Sequence, residues 1–333
     1  MLIGTWNLEN LYRPGGPFGP RDKAAYEAKL ASLAATVGAL RPSVLGVQEV
    51  GDADALEDLA GLLEGTWHIT LSEHPDDRGI RVGFLSSLPL SVVTDTVRFP
   101  APLRPVQVDD SGRTTSRAGR GVFAVTVSTR AFFFDVVVCH LKSKLLSYPG
   151  GSGGSGDSGD AERSGSRFRP RDEGERARYA AYALGRRAAE AALVRAVTDE
   201  LLHGDGREHD VAVLGDLNAE EGAATTQILL GPPGSEIGTP GHGRPDGGDA
   251  ARMWNVAPLI PPEQRFSRIH AGRRELIDHV LLSRGMLDHV RSAGTGAPGA
   301  GAGALPSVAD GDPAVRRDAA GSDHAPVWVR VQP

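Results

Sequence analysis

Short apolar segments recur along this chain, and five of them adjoin polar side chains that can bind metals. Continuous apolar runs of this kind are typical of strands that are buried on both faces. A rigid sheet presents polar side chains where its strands end, so five such ends indicate one shared acidic site. The polar residues are Asn7 after Ile3–Trp6, Gln48 and Glu49 after Val44–Val47, His140 after Phe132–Cys139, Asp216 and Asn218 after Val211–Leu214, and Asp323 and His324 before Val327–Val329.

Segments with helical periodicity alternate with these apolar runs. Apolar residues recur at spacings of three and four over residues 26–40, which predicts an amphipathic helix with Asp22 as its N-cap. Further helices are predicted around residues 56–63 and over about residues 173–202, the latter rich in Ala and Arg. The predicted buried side of that last helix consists of Leu184, Ala188, Ala191, Val194, Val197 and Leu201.

The apolar segments over residues 80–97 and 120–139 are joined in part by short connections, which indicates antiparallel pairing within an α/β arrangement. Two stretches of small residues interrupt the pattern, one near 148–170 and one near 293–320. We expect flexible insertions there, because Gly, Ser, Ala and Pro are abundant. Candidate site residues lie on both sides of each stretch, so the prediction is one domain over residues 1–333.

The charge and cysteine content exclude several classes of protein. The 333 residues carry a net charge of -6, from 36 Lys and Arg against 42 Asp and Glu, so no global basic field attracts nucleic acid. Cys139 is the single cysteine, which rules out an intramolecular disulfide and a cysteine-rich zinc site and predicts a buried, inert thiol. No segment approaches the ~20 apolar residues of a membrane-spanning helix, and the first residues lack a signal pattern, so we expect a cytoplasmic protein. The sequence does not indicate a protein partner.

Single motifs in this set are weak evidence. An Asp and an Asn two positions apart can point the same way from a strand end, but most such triplets are turns or helix caps. An Asp directly before a His is similarly ambiguous. Specificity comes from the ordered set, which comprises Thr5–Leu11, Val47–Val50, His140–Ser143, Gly215–Asn218, Leu276–His279 and Gly321–His324.

This ordered set resembles the motifs of the endonuclease/exonuclease/phosphatase superfamily, which includes deoxyribonuclease I, exonuclease III and neutral sphingomyelinases. The motifs span the chain from Asn7 to His324. The resemblance implies an α/β four-layer sandwich, in which two mixed β-sheets pack face to face with helices outside. It also implies cleavage of phosphate esters that depends on Mg²⁺ or Mn²⁺.

The resemblance assigns metal binding to acidic and amide side chains. Mg²⁺ prefers carboxylate, amide and water oxygens and often uses only one or two carboxylates. Glu49 is the first expected ligand, with Asn7 beside it, and Asp323 would bind the ion directly or through a water. Glu9 would either bind the ion or support a ligand. Whether one or two ions act together stays open.

Three further motif residues are expected to act on the phosphate and on the attacking water. Asp216 would orient or deprotonate that water. Asn218 would hold the water in line or donate to the phosphoryl oxygens. His140 would donate to the phosphate, although a histidine at a sheet edge with only a structural role would match equally in isolation.

The last two motifs supply a histidine and the carboxylates around it. His324 would donate to the phosphate, oriented by Asp323. By similarity to the family, Asp278 would set the tautomer and charge of a neighbouring histidine, since a carboxylate beside an imidazole fixes its orientation and favours the protonated form. His279 is expected to pack under the sheet.

Arginine clusters are the main indication of the substrate. Residues 163–187 carry eight Arg against three acids, a local charge of +5, and further clusters lie at 113–120 and 265–274. Arginine suits bidentate contact with phosphate, and several clusters around one cleft suit a polyanionic backbone. Arginines on the solvated face of an Ala-rich helix would explain part of the first cluster equally well. The expected substrate-binding residues are Lys142, Arg117, Arg120 and Arg268.

Three functions are compatible with this sequence. The leading hypothesis is a nuclease that acts on a nucleic acid substrate, DNA first and RNA second. The second hypothesis is a phosphomonoesterase or small-molecule phosphodiesterase, with inositol phosphates, sphingomyelin or nucleotides as substrates. The third is a non-catalytic binding protein on the same fold, against which the complete set of acid, amide and histidine side chains argues.

Overall fold

The computed structural model describes residues 1–129, 132–149, 168–297, 305–309 and 313–332. In this part of the chain the α-helices are α1 (Lys23–Leu40), α2 (Ala53–Gly61), α3 (Glu173–Leu202), α4 (Ala224–Leu230) and α5 (Arg284–Asp288), and short 3-10 turns cover Ala257–Leu259, Pro262–Gln264 and Pro313–Arg316. The strands are β1 (Leu2–Leu11), β2 (Val44–Val50), β3 (His68–Leu71), β4 (Arg81–Ser86), β5 (Leu90–Arg98), β6 (Val106–Gln107), β7 (Thr114–Thr115), β8 (Arg117–Ser128), β9 (Phe133–His140), β10 (Val211–Asp216), β11 (Trp254–Asn255), β12 (Arg268–His270), β13 (Arg273–Glu275), β14 (Asp278–Leu282), β15 (Val290–Thr295), β16 (Ser307–Val308) and β17 (Val327–Val331).

Two mixed sheets form the centre of the described structure. The first has the strand order β15-β17-β1-β2-β4-β3, and the second has the order β11-β14-β10-β9-β8-β5. Each contains one parallel pair, β1 with β2 and β9 with β10, while its other neighbours are antiparallel. The remaining short strands form two small sheets, β13-β12-β16 and β6-β7.

Three apolar clusters hold four layers together. The central cluster joins the facing sides of the two sheets, with Ile3 from the first sheet and Val138 and Leu214 from the second. A second cluster packs α3 onto the outer face of the second sheet, and a third packs α1 and α2 onto the outer face of the first. Burial of these apolar faces is the main stabilising contribution. The predicted four-layer α/β sandwich is therefore confirmed.

The three predicted helices correspond to α1, α2 and α3, but the buried side of α3 differs in its first half, and α4 and α5 were not predicted. Asp22 caps α1, since its Oδ1 accepts a hydrogen bond from the backbone N of Ala25 at 2.8 Å. Leu184 was predicted to be buried, and 52% of it is exposed. The buried face there carries Arg187 and Glu190 instead. These polar side chains bind the loop after β9, and an apolar repeat cannot reveal them.

The sequence did not predict where the chain crosses between the sheets after β4. β8 pairs antiparallel with both β9 and β5, in agreement with the expected antiparallel pairing. However, β4 belongs to the first sheet, where it pairs with β2 and β3. The chain between β4 and β5 therefore crosses from one sheet to the other.

The two expected insertions coincide partly with residues outside the described ranges, namely 150–167, 298–304 and 310–312. Within the second stretch, Ala293 is buried in β15 and Val308 is buried in β16. These described residues are ordered parts of the sheets. The organisation of residues 1–333 as one domain stays a prediction.

Two sequence-based expectations concern single features. Cys139 is 1% exposed, and burial raises the pKa of its thiol, in agreement with an inert buried cysteine. Among the described residues, no helix combines the length and the hydrophobicity that crossing a bilayer requires.

Candidate active site

Strand register places the predicted catalytic residues side by side at one end of the two sheets. In the second sheet, Asp216 at the end of β10 lies opposite His140 of β9 and Asp278 of β14. In the first sheet, Asn7 of β1 pairs with the residue directly before Glu49 of β2. Because β1 and β10 pack against each other across the core, these strand ends meet around one cleft.

Asn7 joins the two sheets within this cleft. Its Nδ2 donates to Oδ2 of Asp216 at 3.0 Å and to Oε1 of Glu49 at 3.3 Å. Its Oδ1 accepts a hydrogen bond from the backbone N of Glu9 at 2.9 Å. Two carboxylates from different sheets therefore converge on one amide group, at a point where positive charge is favoured.

The backbone is strained at several residues of the cleft. Glu9, Asn10, Glu49 and Asn218 have φ values of 51°, 53°, 61° and 50°, in the left-handed region that residues other than glycine rarely adopt. Local hydrogen bonds hold two of these conformations. The backbone N of Asn10 donates to Oε2 of Glu49 at 3.0 Å, and the backbone N of Asn218 donates to Oδ1 of Asp216 at 2.9 Å. Strain of this kind concentrates where side-chain position matters for function.

A buried carboxylate orients the histidine near the C-terminus. Oδ2 of Asp278 lies 2.7 Å from Nδ1 of His324 and accepts a hydrogen bond from Oγ of Ser267 at 2.6 Å. Oδ1 of Asp323, which was expected to orient this ring, lies 3.9 Å from its Nε2. The sequence-based expectation for Asp278 therefore agrees with the geometry, and the orienting role of Asp323 stays a prediction.

The charge state of His324 follows from its neighbours. Burial by itself would lower the pKa of His324, but the charges of Asp278 and Asp323 raise it to about 10. The ring is consequently an imidazolium at neutral pH. Since Nδ1 is engaged by Asp278, the N–H at Nε2 is the donor that faces the cleft.

Asp216 and His140 form a second acid–imidazole pair. Nε2 of His140 lies 3.4 Å from Oδ2 of Asp216, and both side chains are almost completely buried. Burial, together with the charge of Asp278, raises the pKa of Asp216 to about 7. Burial and the charge of Arg120 lower the pKa of His140. At neutral pH His140 is therefore neutral, in contrast to His324.

Glu9 is held by arginine in a way that the sequence did not reveal. Both of its carboxylate oxygens accept from Arg316, through Nε and through Nη2, the latter at 2.8 Å. The same carboxylate accepts from the backbone N of Asp323 at 2.8 Å. Burial raises the pKa of Glu9, while the hydrogen bonds from Arg316 oppose that effect. An arginine thus supplies the counter-charge at the position where the sequence suggested a metal ligand.

Most of the predicted residues line this one cleft. Those that line it are Asn7, Glu9, Glu49, Arg120, His140, Asp216, Asn218, Arg268, Asp323 and His324. Asp278 lies directly beneath His324. His279 is buried under the sheet, as expected, with its Nε2 at 2.9 Å from the carbonyl oxygen of Ala219.

Four arginines line the cleft, and two of them were not expected. Arg120 and Arg268 were predicted, whereas Arg78 lies in a turn and Arg316 in a short 3-10 turn, neither of which has a sequence signal. Each arginine lies close to an acid. Arg120 binds Asp76 at 2.8 Å, and Nε of Arg268 lies 3.3 Å from Oδ2 of Asp323.

Two of the predicted substrate contacts do not belong to the cleft. Arg117 is exposed on β8, where it pairs with Arg98 of β5. The ammonium of Lys142 donates to the carbonyl oxygens of Ser143 and Leu145 at 3.1 and 2.8 Å. Burial lowers the pKa of Lys142 to about 8. This lysine therefore shapes the loop after β9 and lines the depression beside the cleft, and its contact with substrate stays a prediction.

The arginine-rich segment is largely neutralised by ion pairs. Arg176 pairs with Glu173, Arg178 with Asp110, and Arg186 with Glu190. Arg163 and Arg167 lie outside the described residues. Among the described residues, this segment is accordingly less basic at its surface than its composition suggested.

Glu190 anchors the loop that borders the cleft. Its Oε2 accepts from the backbone N of Lys142 at 2.5 Å, and its Oε1 accepts from the backbone N of Gly119 at 3.0 Å. A Cβ on Gly119 would lie 2.7 Å from Nη2 of Arg186, which pairs with the same carboxylate. A larger residue at this position would therefore displace the guanidinium of Arg186.

We expect Glu190→Gln to lower the free energy of unfolding by about 1–3 kcal/mol. In the glutamine side chain an NH₂ group replaces one of the two carboxylate oxygens, so one of the two backbone N–H groups loses its acceptor. A buried donor without a partner costs about 1–3 kcal/mol. Urea denaturation would measure the change. Glu200→Gln, at an exposed position near the end of α3, is the matched control and should be neutral. Equal stability of both variants would contradict the anchoring role.

The donor set of the cleft fits a hard divalent cation. Oxygen donors from Glu49, Asn7 and Asp323 line one wall, and Glu49 remains partly exposed. Ligand atoms of Asp216, Asp278 and His324 also lie within 4.8 Å of one another. That group is the second candidate site, because two of its side chains, Asp278 and His324, are already engaged with each other.

Comparison with known proteins places the chain in a family. A model of the Endonuclease/Exonuclease/phosphatase family matches residues 4–324. No curated protein matches the sequence significantly. Among solved structures, a mannosyl-6-phosphatase from Bacteroides thetaiotaomicron is 15% identical with a TM-score of 0.53, and covers 100% of this chain and 99% of its own.

Two further solved structures have the same architecture. Truncated TDP2 from Caenorhabditis elegans is 13% identical with a TM-score of 0.51, over 98% of this chain and 95% of its own. A 3'-5' exonuclease from Neisseria meningitidis is 16% identical with a TM-score of 0.50, over the full length of both chains. At these identities the likeness establishes the fold alone, while the family match covers every motif from Asn7 to His324. This chain belongs to the endonuclease/exonuclease/phosphatase family, and its fold is that of a phosphoric ester hydrolase.

Proposed function

We propose that this protein is a metal-dependent phosphodiesterase that hydrolyses nucleic acid, with DNA as the favoured substrate. The observation that carries the proposal is the convergence of Glu49, Asp216 and the Asp278–His324 pair around one arginine-lined cleft. Acids, an imidazolium and arginines in one cleft match the charges of a phosphate ester and of the water that attacks it.

Glu49 and Asn7 would hold a Mg²⁺ or Mn²⁺ ion, with Asp323 bound directly or through a water. Such an ion, when bound, neutralises phosphate charge and stabilises the departing oxygen. Glu9 would orient the backbone of Asp323, since its carboxylate accepts from that backbone N and is neutralised by Arg316.

Asp216 would orient the attacking water and accept its proton. A base near neutral pH serves this task best, and the pKa of Asp216 is raised by burial to about 7. Asn218 would keep the water in line with the scissile bond. The backbone N of Asn218 donates a hydrogen bond to Oδ1 of Asp216. The other carboxylate oxygen, Oδ2, lies near Asn7 and His140.

His324 and His140 would bracket the phosphate. The imidazolium of His324 presents a charged donor from Nε2, and such donors stabilise negative charge that develops in the transition state. His140, neutral because burial lowers its pKa, can donate a hydrogen bond from one ring nitrogen. The two histidines thus differ in charge and in role.

A longer groove favours a polymeric substrate. Arg78, Arg120, Ser143 and Leu145 line both the catalytic cleft and a depression beside it. A chain with phosphates on both sides of the scissile bond can occupy such a path, whereas a small ester fills only the cleft.

A phosphomonoesterase or small-molecule phosphodiesterase is the second candidate. It is favoured by the pairing of the arginines near the cleft with acids, such as Arg120 with Asp76 and Arg316 with Glu9. Paired arginines attract a long polyanion less strongly than free ones. This candidate predicts turnover of monoesters and no salt-sensitive binding of long DNA.

We expect Asp278→Asn to lower kcat by ~10²-fold or more with little change in KM. The amide keeps the shape but removes the charge that maintains the imidazolium of His324, so transition-state stabilisation is lost. Steady-state kinetics on a labelled oligonucleotide would measure the effect. Asp288→Asn, at an exposed position on α5, is the control. Wild-type kinetics for Asp278→Asn would contradict the role of the pair.

A substrate panel tests the proposed function directly. Supercoiled plasmid, linear DNA, RNA, p-nitrophenyl phosphate and bis(p-nitrophenyl) phosphate would be incubated with and without Mg²⁺ or Mn²⁺. Metal-dependent cleavage of DNA and of the diester is the expected result. Turnover of the monoester alone would favour the second candidate, and no turnover of any substrate would favour a binding protein on this fold.

A further inference from the structure

A second cleft adjoins the candidate active site beside α3. Ser143 and Leu145 line the active-site cleft and the neighbouring depression, while Lys142 and Ser147 line that depression and the second cleft. The loop after β9 therefore forms a continuous wall along all three. The second cleft, called the tyrosine cleft below, is bordered by Tyr148, Tyr179, Tyr182, Thr114, Thr115 and Arg186.

Three tyrosines meet in the tyrosine cleft, two from one turn of α3 and one from the loop after β9. The ring centroids of Tyr148 and Tyr179 are 5.2 Å apart, and those of Tyr179 and Tyr182 are 5.6 Å apart in an edge-to-face arrangement. Tyr148 and Tyr179 are buried, and Tyr182 stays partly exposed at the end of the row. A supported aromatic ring next to an open cleft is suited to stacking.

The ring of Tyr182 is fixed before any ligand binds. Its hydroxyl donates to Oδ1 of Asp110 at 3.1 Å. Arg178 holds the same carboxylate with two hydrogen bonds of 2.9 Å each. A preorganised ring loses little conformational entropy when a flat ligand stacks on it.

The size and charge of the tyrosine cleft suit a nucleobase better than a second phosphate. Its volume is about 550 Å³, within the range of about 300–1,000 Å³ that is typical of small-molecule sites. Arg113 and Arg186 contribute positive charge to its wall, but Asp77 and Asp109 contribute negative charge. Thr114 adds a hydroxyl that can donate and accept. Mixed polar groups around an aromatic ring match the edges and faces of a base.

We propose that the tyrosine cleft binds an unpaired nucleobase of the strand whose phosphodiester lies in the active-site cleft. This inference rests on the proposed nuclease function. The base stacks on Tyr182, and the backbone between the two clefts passes Arg78 and Arg120, which line both the active site and the depression. The protein then prefers single-stranded or frayed nucleic acid, because a paired base cannot enter the cleft.

The test compares Tyr182→Ala with Tyr182→Phe and with a control on the same helix. Leu184→Ala is the control, since this residue is exposed and does not line the cleft. One measurement is binding of a labelled oligothymidylate, and in a parallel arm an oligouridylate, by fluorescence anisotropy in EDTA. The other is the ratio of kcat/KM for the oligonucleotide to kcat/KM for bis(p-nitrophenyl) phosphate, which has no base.

Tyr182→Ala should weaken oligonucleotide binding by about 10-fold and lower the kcat/KM ratio by a similar factor. Tyr182→Phe and Leu184→Ala should remain within about twofold of wild type. An unchanged ratio in Tyr182→Ala would overturn the proposal. Equal losses in Tyr182→Ala and Tyr182→Phe would overturn it too, because the hydroxyl contact to Asp110 and not the ring would then be responsible.

The binding arm separates failure of this inference from failure of the proposed function. If the wild type hydrolyses neither substrate, the catalytic proposal is wrong, and a loss of binding in Tyr182→Ala still supports the base site. If the wild type hydrolyses both substrates but Tyr182→Ala binds the oligonucleotide normally, the base site is wrong and the catalytic proposal stands. Failure of the wild type to bind either oligonucleotide overturns the base site outright.

Discussion

Asp216→Asn should lower kcat/KM for any phosphodiester substrate by ~10²-fold or more. Asp216 lies at the point where the two sheets meet, with Asn7, His140 and Asn218 in contact through its carboxylate. An amide cannot accept a proton from water, and removal of a positioned general base typically costs ~10²–10⁴-fold. The loss should appear in kcat, because the base acts mainly in the transition state.

Stability measurements make this variant interpretable. Oδ1 and Oδ2 of Asp216 both accept hydrogen bonds, and asparagine can satisfy only one of them, but it also removes a buried charge. These effects oppose each other, so we expect a cooperative melting transition close to that of the wild type. Asp199→Asn, at an exposed position on α3, is the matched control. Turnover of Asp216→Asn within a few-fold of wild type would refute its assignment as the base.

Glu49→Gln should raise the metal concentration needed for half-maximal activity by ~10–100-fold. The amide keeps an oxygen that can accept from the backbone N of Asn10 but loses the negative charge that attracts a divalent ion. Metal affinity is sensitive to such changes because charge provides most of the attraction for a hard cation. Activity should recover partly at high Mn²⁺.

Two readouts test the metal assignment independently of substrate. Titration calorimetry with Mn²⁺ should give a weaker dissociation constant for Glu49→Gln than for the wild type. The kinetic metal titration should shift in the same direction. Glu27→Gln, at an exposed position of α1, serves as the control. Identical metal titrations for Glu49→Gln and wild type would remove Glu49 from the metal site.

The sequence indicated which residues line the cleft because these residues directly follow apolar runs within buried strands. Asn7, Glu49, His140 and Asp216 each stand next to a continuous apolar run, and the sheet brings the strand ends together. The family motifs added Asp278, whose position beside His324 has no local signal in the chain. Short-range patterns therefore indicated an α/β arrangement and the residues of the cleft, whereas the four-layer sandwich followed from the resemblance to the family.

Contacts made by loops and short turns could not be predicted from local sequence patterns. Arg316 lies in a stretch whose composition suggested a flexible insertion, yet it binds Glu9 near the other end of the chain. Arg78 comes from a loop with no periodicity. Such contacts depend on how loops return to the cleft, which neither apolar repeats nor propensities encode.

Buried polar groups account for two further features that the sequence did not reveal, the buried side of α3 and the hydrogen bonds of Lys142. Leu184 was placed on the buried side of α3 because apolar spacing was the only guide, whereas Arg187 and Glu190 occupy that side and bind the loop after β9. Lys142, whose contact with substrate stays a prediction, donates to carbonyl oxygens of its own loop, and no sequence pattern indicates these hydrogen bonds. Polar residues with buried partners look like surface residues in a sequence.

The central claim is that one metal-dependent site hydrolyses phosphodiesters with Asp216 as the base. The most direct measurement is cleavage of a labelled single-stranded DNA by chelator-treated protein while Mg²⁺ or Mn²⁺ is added back, with Asp216→Asn alongside. We expect the wild type to be inactive without metal and to regain cleavage as metal is added. Its cleavage rate should exceed that of Asp216→Asn by ~10²-fold or more at every metal concentration that supports cleavage. Cleavage that persists in chelator, or that is equal in the two proteins, would contradict it.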